Sequence, residues 1–468
     1  GTTALILGGL FTMNGWDFPT YMGLTVVCIA LQHWLAYRSR FRLELVLDIF
    51  TACAGLIALS FILYAPFYLN FISPSQGLGI VGSSDRSPLA NEILIYGLFA
   101  FVFLSLLVAS ALKHPFFTPS TPTTSIEADS TDEELQSPTI YERWLKRPVV
   151  SLLLIIVAVL IIFFVLPNSA TFVVAGSITA LGVLAILYNL RHRSLSFTLL
   201  LGTIAFGLVA ICEIFFLKDV FAGNYPRMNT VFKFYFQAWA LLSITSGAGL
   251  YFVLESFRPV ASASGAQQGL QRYVEALWIV GLLLLLLASA VYPLAGTYAR
   301  TDYYMHRTNS LDGLNYLQTC KFPNCDYDTS GDYAAIRWLN SHVSGDPVIV
   351  EAVGDDYSSY ARISAFTGLP SPMGWVGHEY QWRVNWLNSG LNAVDFANRK
   401  GDVDTIYMDP HPDVVLNLLA RYHVQFLYVG LLEQMKYPAA NLHRFSAYPF
   451  MQVVYSAHGV TIYKVNGT

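Results

Sequence analysis

Three short segments hold the side chains most suited to chemistry, and the first surrounds Asp17. This carboxylate follows Trp16 and precedes a Phe-Pro-Thr step in the segment NGWDFPTY. Proline is tolerated in the first turn of a helix, so Asp17 is expected at a helix start. An ionisable group at the end of a membrane-spanning run indicates function, with Asp17 catalytic and Trp16 binding substrate. The alternative is a helix cap within a belt of interfacial aromatic residues.

The second segment combines two cations with the start of a helix. Arg227 and Lys233 flank the step Asn229-Thr230, which is typical of a helix N-terminus. Helix N-termini attract anions, Arg binds phosphate as a fork, and Lys binds it as a point charge. We expect a phosphate or pyrophosphate site here, and the alternative is contact of snorkelling side chains with lipid headgroups. The candidate binding residues are Asn224, Tyr225, Arg227, Asn229 and Lys233, and the charged residues before them are Glu213, Lys218 and Asp219.

The third segment follows a predicted strand that ends in Glu351. Carboxylates at the carboxyl end of a strand lie where α/β proteins bind ligands, so Glu351 and Asp355 are candidate catalytic groups. Downstream, a planar Trp suits the apolar face of a sugar and Arg suits an anion, which predicts a loop that faces a sugar or phosphate. The alternative is a set of caps and salt bridges in a long loop. The candidate binding residues are Tyr357, Arg362, Trp375, His378, Glu379, Gln381 and Arg383.

Several other chemistries lack support in the sequence. His378-Glu379 lacks the second histidine of an H-E-x-x-H zinc helix. The sequence has no Ser, Cys or Lys nucleophile motif and no Walker or Rossmann glycine pattern. A net charge of −4 indicates no basic face for a nucleic acid.

The composition places these segments in a membrane protein. Of 468 residues, 54% are hydrophobic and 12% are charged, and the mean hydropathy of +0.47 is too high for a soluble chain. The apolar run after Gly1 is too short to span, which, without an initiator Met, suggests a fragment or a processed chain. Runs long enough to span are predicted at 19–37, 43–64, 92–112, 148–166, 170–190, 196–217, 230–254 and 275–296.

The distribution of Lys and Arg predicts the orientation of these spans. One set of alternate loops contains eleven of these cations and the opposite set contains three, and cytoplasmic loops carry the excess. All three chemical segments and everything after residue 297 are therefore expected outside. The Ser-, Thr- and Pro-rich acidic stretch 118–139 falls on the cytoplasmic side and is predicted to be disordered.

The chain after residue 297 has the pattern of a soluble α/β domain. DYAAIRWLNSHV and PDVVLNLLARYHV are amphipathic helix patterns, and PVIVEAV and QFLYVG are strand patterns. MQVVYSAHGVTIYKV predicts a hairpin that turns at His458-Gly459. Cys320 and Cys325 lack the second ligand pair of a zinc site and favour a disulfide if their loop faces an oxidising compartment.

In combination, several segments resemble Chlor-Arch-YYY, an uncharacterised family of hydrophobic membrane proteins named for a Tyr-rich motif. The matching segments span most of the chain outside the acidic stretch. They are NGWDFPTY, GNYPRMNTVFKFYFQAW, LDGLNYL, EAVGDDYSSYARISAFTGLPSPMGWVGHEYQWR, DVDTIY and YVGLLEQMKY. The Tyr-rich motif is missing, and family members are longer at the N-terminus. The resemblance therefore implies that the motif and the first extracytoplasmic loop lie upstream of Gly1.

This family is in turn similar in layout to GT-C glycosyltransferases, which take a sugar from a polyprenyl-phosphate carrier. That resemblance implies that Asp17 acts on the acceptor or on a divalent metal such as Mg²⁺ or Mn²⁺. It also implies that Arg227 and Lys233 hold the carrier's phosphate. In that architecture the principal catalytic Asp lies in the first outer loop, so the base is not identified by the resemblance.

The sequence thus predicts a polytopic α-helical membrane protein of eight to nine spans in residues 1–297, with an extracytoplasmic α/β domain in residues 298–468. The first functional hypothesis is a plasma-membrane glycosyltransferase whose partners are membrane lipid and a polyprenyl-phosphate sugar donor. The second is a non-catalytic scaffold that binds protein partners in an envelope assembly. A transporter is disfavoured because the centres of the spans are almost free of charge.

Overall fold

The computed structural model describes residues 1–37, 42–73, 75–113, 167–190, 192–221, 223–257, 265–301, 310–321, 325–388, 390 and 392–467. The predicted span at 148–166 and the acidic stretch 118–139 lie outside these residues. The chain forms two compact units. The N-terminal unit comprises Gly1–Phe71 and Ser75–Gly296, and the C-terminal unit comprises Ile72–Pro74 and Thr297–Thr468.

The N-terminal unit consists mainly of helices. Among the described residues, the longer helices are α1 (Thr2–Met13), α2 (Asp17–Ala36), α3 (Leu43–Leu63), α4 (Leu89–Lys113), α5 (Ala170–Asn189), α6 (Arg193–Cys212), α7 (Met228–Ser256) and α8 (Gly265–Val291), and a four-residue helix, Ala65–Tyr68, follows α3. Six helical stretches in the described part of the chain are long and apolar enough to cross a membrane. They are Leu43–Leu63, Leu89–Ala111, Ala170–Asn189, Arg193–Cys212, Met228–Ser256 and Gln267–Arg300.

Small residues allow the central helices of this unit to approach closely. A Cβ atom on Gly182 of α5 would lie 2.1 Å from Thr203 Oγ1 of α6, and one on Gly202 would lie 2.3 Å from the Phe103 ring of α4. Membrane helices pack through such small residues because lipid supplies no hydrophobic drive for helix association. The buried core formed by α4, α5, α6 and α7 therefore fixes the ends of these helices, where the polar residues lie.

A small sheet replaces part of one predicted span. Helix α6 ends at Cys212, and Phe215–Leu217 forms strand β2, which pairs antiparallel with β1 (Leu78–Ile80). The predicted span 196–217 was therefore too long at its C-terminal end. The last residues of this predicted span form backbone hydrogen bonds with β1, which lies more than a hundred residues earlier in the chain. Local hydropathy does not reveal this pairing.

The C-terminal unit contains a four-stranded sheet in the order β3-β4-β6-β5. Strands β3 (Val348–Val350) and β4 (Val424–Val429) are parallel, whereas β6 (Val460–Val465) is antiparallel to β4 and to β5 (Met451–Ala457). The hairpin between β5 and β6 turns at the predicted residues. His458 and Gly459 both have positive φ values, 53° and 74°, as a type I′ turn requires.

In the described part of this unit, seven α-helices lie between Ser330 and His443. They are α9 (Ser330–His342), α10 (Arg362–Thr367), α11 (Val376–Leu387), α12 (Asn392–Met408), α13 (Pro412–Arg421), α14 (Leu431–Lys436) and α15 (Ala439–His443). The core includes the fully buried Tyr407 and Phe445. Cys320 and Cys325 form a disulfide in the segment before α9.

Candidate functional site

Four side chains of the C-terminal unit form an exposed group that we call the aromatic shelf: Tyr357, Trp375, His378 and Trp382. The ring of Tyr357 lies 5.4 Å from that of Trp375 and 5.6 Å from that of His378, and the His378 ring lies 6.2 Å from that of Trp382. The Tyr357 hydroxyl and His378 Nδ1 are 3.2 Å apart. Tyr357 and Trp382 remain 67% and 55% exposed, so their faces are open to a ligand.

The loop that carries Tyr357 is held in an unusual backbone conformation. Tyr357 and Ala361 have positive φ values of 55° and 66°, which residues with a Cβ adopt at a cost of about 1–3 kcal/mol. A Cβ atom on Gly354 would lie 2.0 Å from the Tyr360 ring. Surrounding contacts must therefore maintain this loop.

Helix α11 carries the rest of the shelf. The Asp356 carboxylate accepts a hydrogen bond from the Gly377 backbone N–H at 2.9 Å and so binds the first turn of α11. The Trp375 indole donates to the Tyr360 carbonyl at 2.7 Å. These two bonds join the loop to the helix and explain why Tyr357 meets Trp375 and His378.

Charged groups lie beside the shelf. Asp355 and Asp356 are exposed in the loop, and Glu379 pairs with Arg383 at 3.1 Å on α11. Gln381 is half-buried on the same helix. A cavity of about 50 Å³ adjoins this ion pair and is lined by Ser371, Pro372, Met373, Glu379, Arg383, Trp386, Phe396 and Arg399. Most of the third predicted segment therefore does lie together on one surface.

Glu351 and Arg362, which belong to the same predicted segment, are instead inside the unit. Both Glu351 oxygens accept backbone N–H groups, from Ser364 at 2.8 Å and Ile363 at 3.0 Å, and the residue is 0% exposed. Burial raises the pKa of this carboxyl despite the nearby Arg362. Glu351 thus caps α10, and the geometry replaces its expected catalytic role with a structural one.

Arg362 pairs with the protein's own carboxylates in place of a ligand anion. Its guanidinium donates to Asp332 at 2.6 Å and to Glu433 at 2.9 Å, and it lies 3.6 Å from Glu351. Burial alone would lower the pKa of Arg362, but Glu433 and Asp332 raise it above the ordinary value. The Tyr428 hydroxyl donates to Asp332 at 2.5 Å. Arg362 directly follows the strained Ala361 in the chain, so this buried network anchors the end of the loop.

The N-terminal unit contains the first predicted segment, at the start of α2. The Asp17 carboxylate accepts a hydrogen bond from the Gln237 side chain of α7 at 2.7 Å. Gln237 also donates to the Trp16 carbonyl at 3.0 Å and accepts from the Thr20 hydroxyl at 2.5 Å. The Trp16 ring lies 5.8 Å from that of Phe234. Asp17 is half-buried and fixed against α7.

Arg227, from the second segment, is buried in an internal cluster. Its Nη2 lies 2.5 Å from Glu213 Oε1, and its Nη1 donates to the Asp85 carbonyl. The Ser87 N–H donates to the other Glu213 oxygen at 3.0 Å. Arg227 Nε is buried without a hydrogen-bond partner among the described residues. In this conformation the guanidinium neutralises Glu213, so the predicted contact with a carrier phosphate would need rearrangement.

The other members of the second segment are more accessible. Asn224 and Tyr225 are exposed, and the Asn229 amide donates to Asp219 at 2.6 Å. Lys233 is half-buried with its ammonium over the Phe232 ring. Lys233 precedes Gln237 by one helical turn and shares its face of α7, whereas ten residues, about 15 Å of helix, separate Arg227 from Gln237. Of the two predicted phosphate ligands, Lys233 is therefore the one that lies near Gln237, the residue of α7 that contacts Asp17.

The partners of these buried charges have almost no signal in the sequence. Asp332 and Gln237 belong to a predicted helix and a predicted span whose patterns gave no sign of these contacts. Glu433 alone had a local signal, since it follows Gly430 at capping-box spacing and accepts its N–H at 2.9 Å. Glu92 of α4 was also missed. It accepts from the Tyr235 hydroxyl at 2.8 Å, and its second oxygen is buried without a partner among the described residues.

No group of three or more His, Cys, Asp or Glu side chains within the described ranges is arranged to hold a metal ion. The predicted Mg²⁺ or Mn²⁺ is therefore assigned no ligands.

The comparison with known families identifies the class of the chain. A family model described as an uncharacterized membrane protein, DUF2298, matches residues 1–242, which is more than half of the chain. No curated protein and no solved structure matches it. The membrane class predicted from composition is confirmed by this match and by the six apolar helices. The chain belongs to the uncharacterized membrane protein family DUF2298.

Proposed function

We propose that this protein is a membrane glycosyltransferase of GT-C type that transfers a sugar from a polyprenyl-phosphate carrier to an acceptor on the extracytoplasmic side. In this proposal the C-terminal unit is extracytoplasmic, as the excess of Lys and Arg in the opposite loops favours. The membrane unit would give the lipid carrier access, and the aromatic shelf would bind saccharide.

The observation that carries the proposal is the aromatic shelf. The rings of Tyr357 and Trp382, which are more than half exposed and lie next to His378 and the exposed Asp355, suit the apolar faces and hydroxyl groups of a saccharide. The strained loop that carries Tyr357 is anchored at its end by the buried ion pairs of Arg362, an arrangement expected where a functional surface must be held in place.

The chemistry requires a base near the acceptor and a cation near the leaving phosphate. A carboxylate takes the proton of the acceptor hydroxyl, whose oxygen forms a bond to the anomeric carbon of the donor sugar. The bond between that carbon and the phosphate oxygen breaks, and the lipid phosphate leaves with the electron pair. Asp17 and Asp355 are the candidate bases, since Glu351 is buried. Lys233 is the candidate phosphate contact, since Arg227 is paired with Glu213.

A second candidate function is a non-catalytic saccharide-binding subunit of an envelope assembly. The observation that favours it is the internal pairing of Arg227 and Arg362, two cations that the catalytic hypothesis assigned to anionic ligands. Such a subunit would keep the aromatic shelf and would need no base or phosphate contact.

The experiment that separates these functions measures release of polyprenyl phosphate from a radiolabelled lipid-linked sugar by the purified protein in nanodiscs. The proposal predicts release that increases when membrane-derived acceptor glycans are added. It also predicts loss of at least tenfold in Lys233→Met, since a charged contact contributes about 1.5–3 kcal/mol. Lys218→Met, which removes an exposed lysine of the same unit, is the control. Saccharide binding without release would support the non-catalytic subunit.

A further inference from the structure

The aromatic row continues beyond the shelf, from Trp375 at the N-cap of α11 to Trp386; Trp382 is exposed, and the other three side chains of this stripe are half-buried. Trp375, His378, Trp382 and Trp386 are spaced by three, four and four residues, which places them on one face of the helix. Glu379 and Arg383 follow the same spacing beside them. Eleven residues of helix span about 16 Å, which is the length of several sugar rings. The stripe therefore suits an oligosaccharide better than a monosaccharide.

The far end of this stripe is charged and concave. The cavity of about 50 Å³ lies there and is lined by two guanidinium groups, Arg383 and Arg399, and by one carboxylate, Glu379. Its volume is enough for a small planar group but not for a sugar ring. Arg399 is fixed, because its Nε and Nη2 donate to Asp395 at 2.9 and 2.8 Å and its Nη1 donates to the Pro372 carbonyl.

Arg383 is the cation of this cavity that can exchange its carboxylate partner for an acid group of a ligand. Its ion pair with Glu379 uses Nε at 3.1 Å, and its side chain is 53% exposed. An exposed ion pair of this kind contributes only about 0–1 kcal/mol, so an incoming acid can replace Glu379 at little cost. The planar guanidinium fork matches a carboxylate and binds it through two parallel hydrogen bonds.

We infer that the saccharide bound along α11 is acidic, with a carboxylate, as in a uronic acid, received by Arg383 at the cavity. This inference rests on the proposed function, because it names the class of saccharide that the same site binds. Neutral sugar rings stack on Trp375 and Trp382, and the acid group gives the site its selectivity.

The test compares binding of two oligosaccharides to the full-length protein in nanodiscs by calorimetry. The probes are tetragalacturonate and the neutral galactose tetrasaccharide of the same linkage. Tetragalacturonate is expected to bind about tenfold more tightly, and Arg383→Gln is expected to remove that difference while neutral binding is kept. Glu379→Gln should tighten acidic binding, because it removes the competing carboxylate. Lys400→Gln, which removes an exposed cation next to Arg399, is the control.

The outcomes separate the inference from the proposed function. Equal binding of both probes, unchanged in Arg383→Gln, would overturn the acidic ligand and leave the saccharide shelf intact. If Arg383→Gln and Glu379→Gln lowered the affinity for both probes equally, the ion pair would act only as a structural salt bridge. That result would also overturn the acidic ligand. Binding of neither probe would overturn both, and quenching of Trp fluorescence by spin-labelled headgroups that is lost in Trp382→Phe would identify the surface as a membrane contact.

Discussion

Arg227 Nη2 and Glu213 Oε1 lie 2.5 Å apart, and the two side chains are only 8% and 0% exposed. Removal of the cation leaves a buried carboxylate without its counter-charge, so we expect Arg227→Met to destabilise the membrane unit by about 3–5 kcal/mol. Thermal unfolding in detergent measures the loss. The double variant Arg227→Met/Glu213→Leu should recover much of it, and Lys218→Met should show no loss. An Arg227→Met protein as stable as its parent would contradict a structural role for the pair.

Arg362 should contribute as much to the stability of the C-terminal unit as Arg227 does to that of the membrane unit. It pairs with Asp332 and Glu433 and lies beside Glu351, so Arg362→Met leaves three buried carboxylates around an apolar side chain. We expect a loss of about 3–5 kcal/mol and rapid proteolysis within residues 297–468. Arg337→Met, at an exposed arginine of α9, is the matched control. Equal protease resistance of the two variants would rule out the network as the support of the loop.

Because Glu351 is buried, we expect part of the free energy of unfolding to depend on pH. Burial raises its pKa above the ordinary value of 4.5, so the folded state retains a proton that the unfolded state has lost. This component of stability is complete below the unfolded pKa and declines as pH rises through the interval up to the folded value. Glu351→Gln does not titrate and should show a flatter stability profile across that interval, measured by denaturant unfolding. Superimposable slopes for parent and variant would contradict the assignment.

Asp356 connects the strained loop to the first turn of α11. Asp356→Ala removes the acceptor for the Gly377 N–H, and a lost helix cap costs about 0.5–2 kcal/mol. Because the shelf spans this junction, saccharide affinity should fall together with stability. Asp356→Asn keeps an acceptor oxygen and should retain most of both. Full saccharide affinity in Asp356→Ala would show that the loop does not depend on this bond.

Sequence patterns were sufficient for most elements but not for all of them. The hairpin at His458-Gly459 and the helices Ser330–His342 and Pro412–Arg421 follow from local periodicity and turn residues, which act over a few positions. Strands β1 and β2 have three residues each and no such period. Their pairing depends on a contact between Leu78 and Leu217, which a local pattern cannot predict.

The same distinction applies to the candidate site. Residues 375–383 were predicted as a loop that faces a sugar or phosphate, because Trp, His, Glu, Gln and Arg lie close together there. The loop prediction was wrong, since Val376–Leu387 forms helix α11. The role of Arg362 depends on Asp332 and Glu433, whose positions are set by the sheet and by helix packing. Residue type alone does not distinguish a charge that faces a substrate from one that is neutralised in the core.

The most direct test of the central claim is the rate of polyprenyl phosphate release by Asp17→Asn and Asp355→Asn protein in nanodiscs. The proposed function predicts that one of these isosteric changes lowers the rate by about a hundredfold or more, since general base catalysis contributes roughly 10²–10⁴. Asp346→Asn, at an exposed aspartate outside the site, should keep the parental rate. A rate unchanged in both variants would contradict the catalytic proposal.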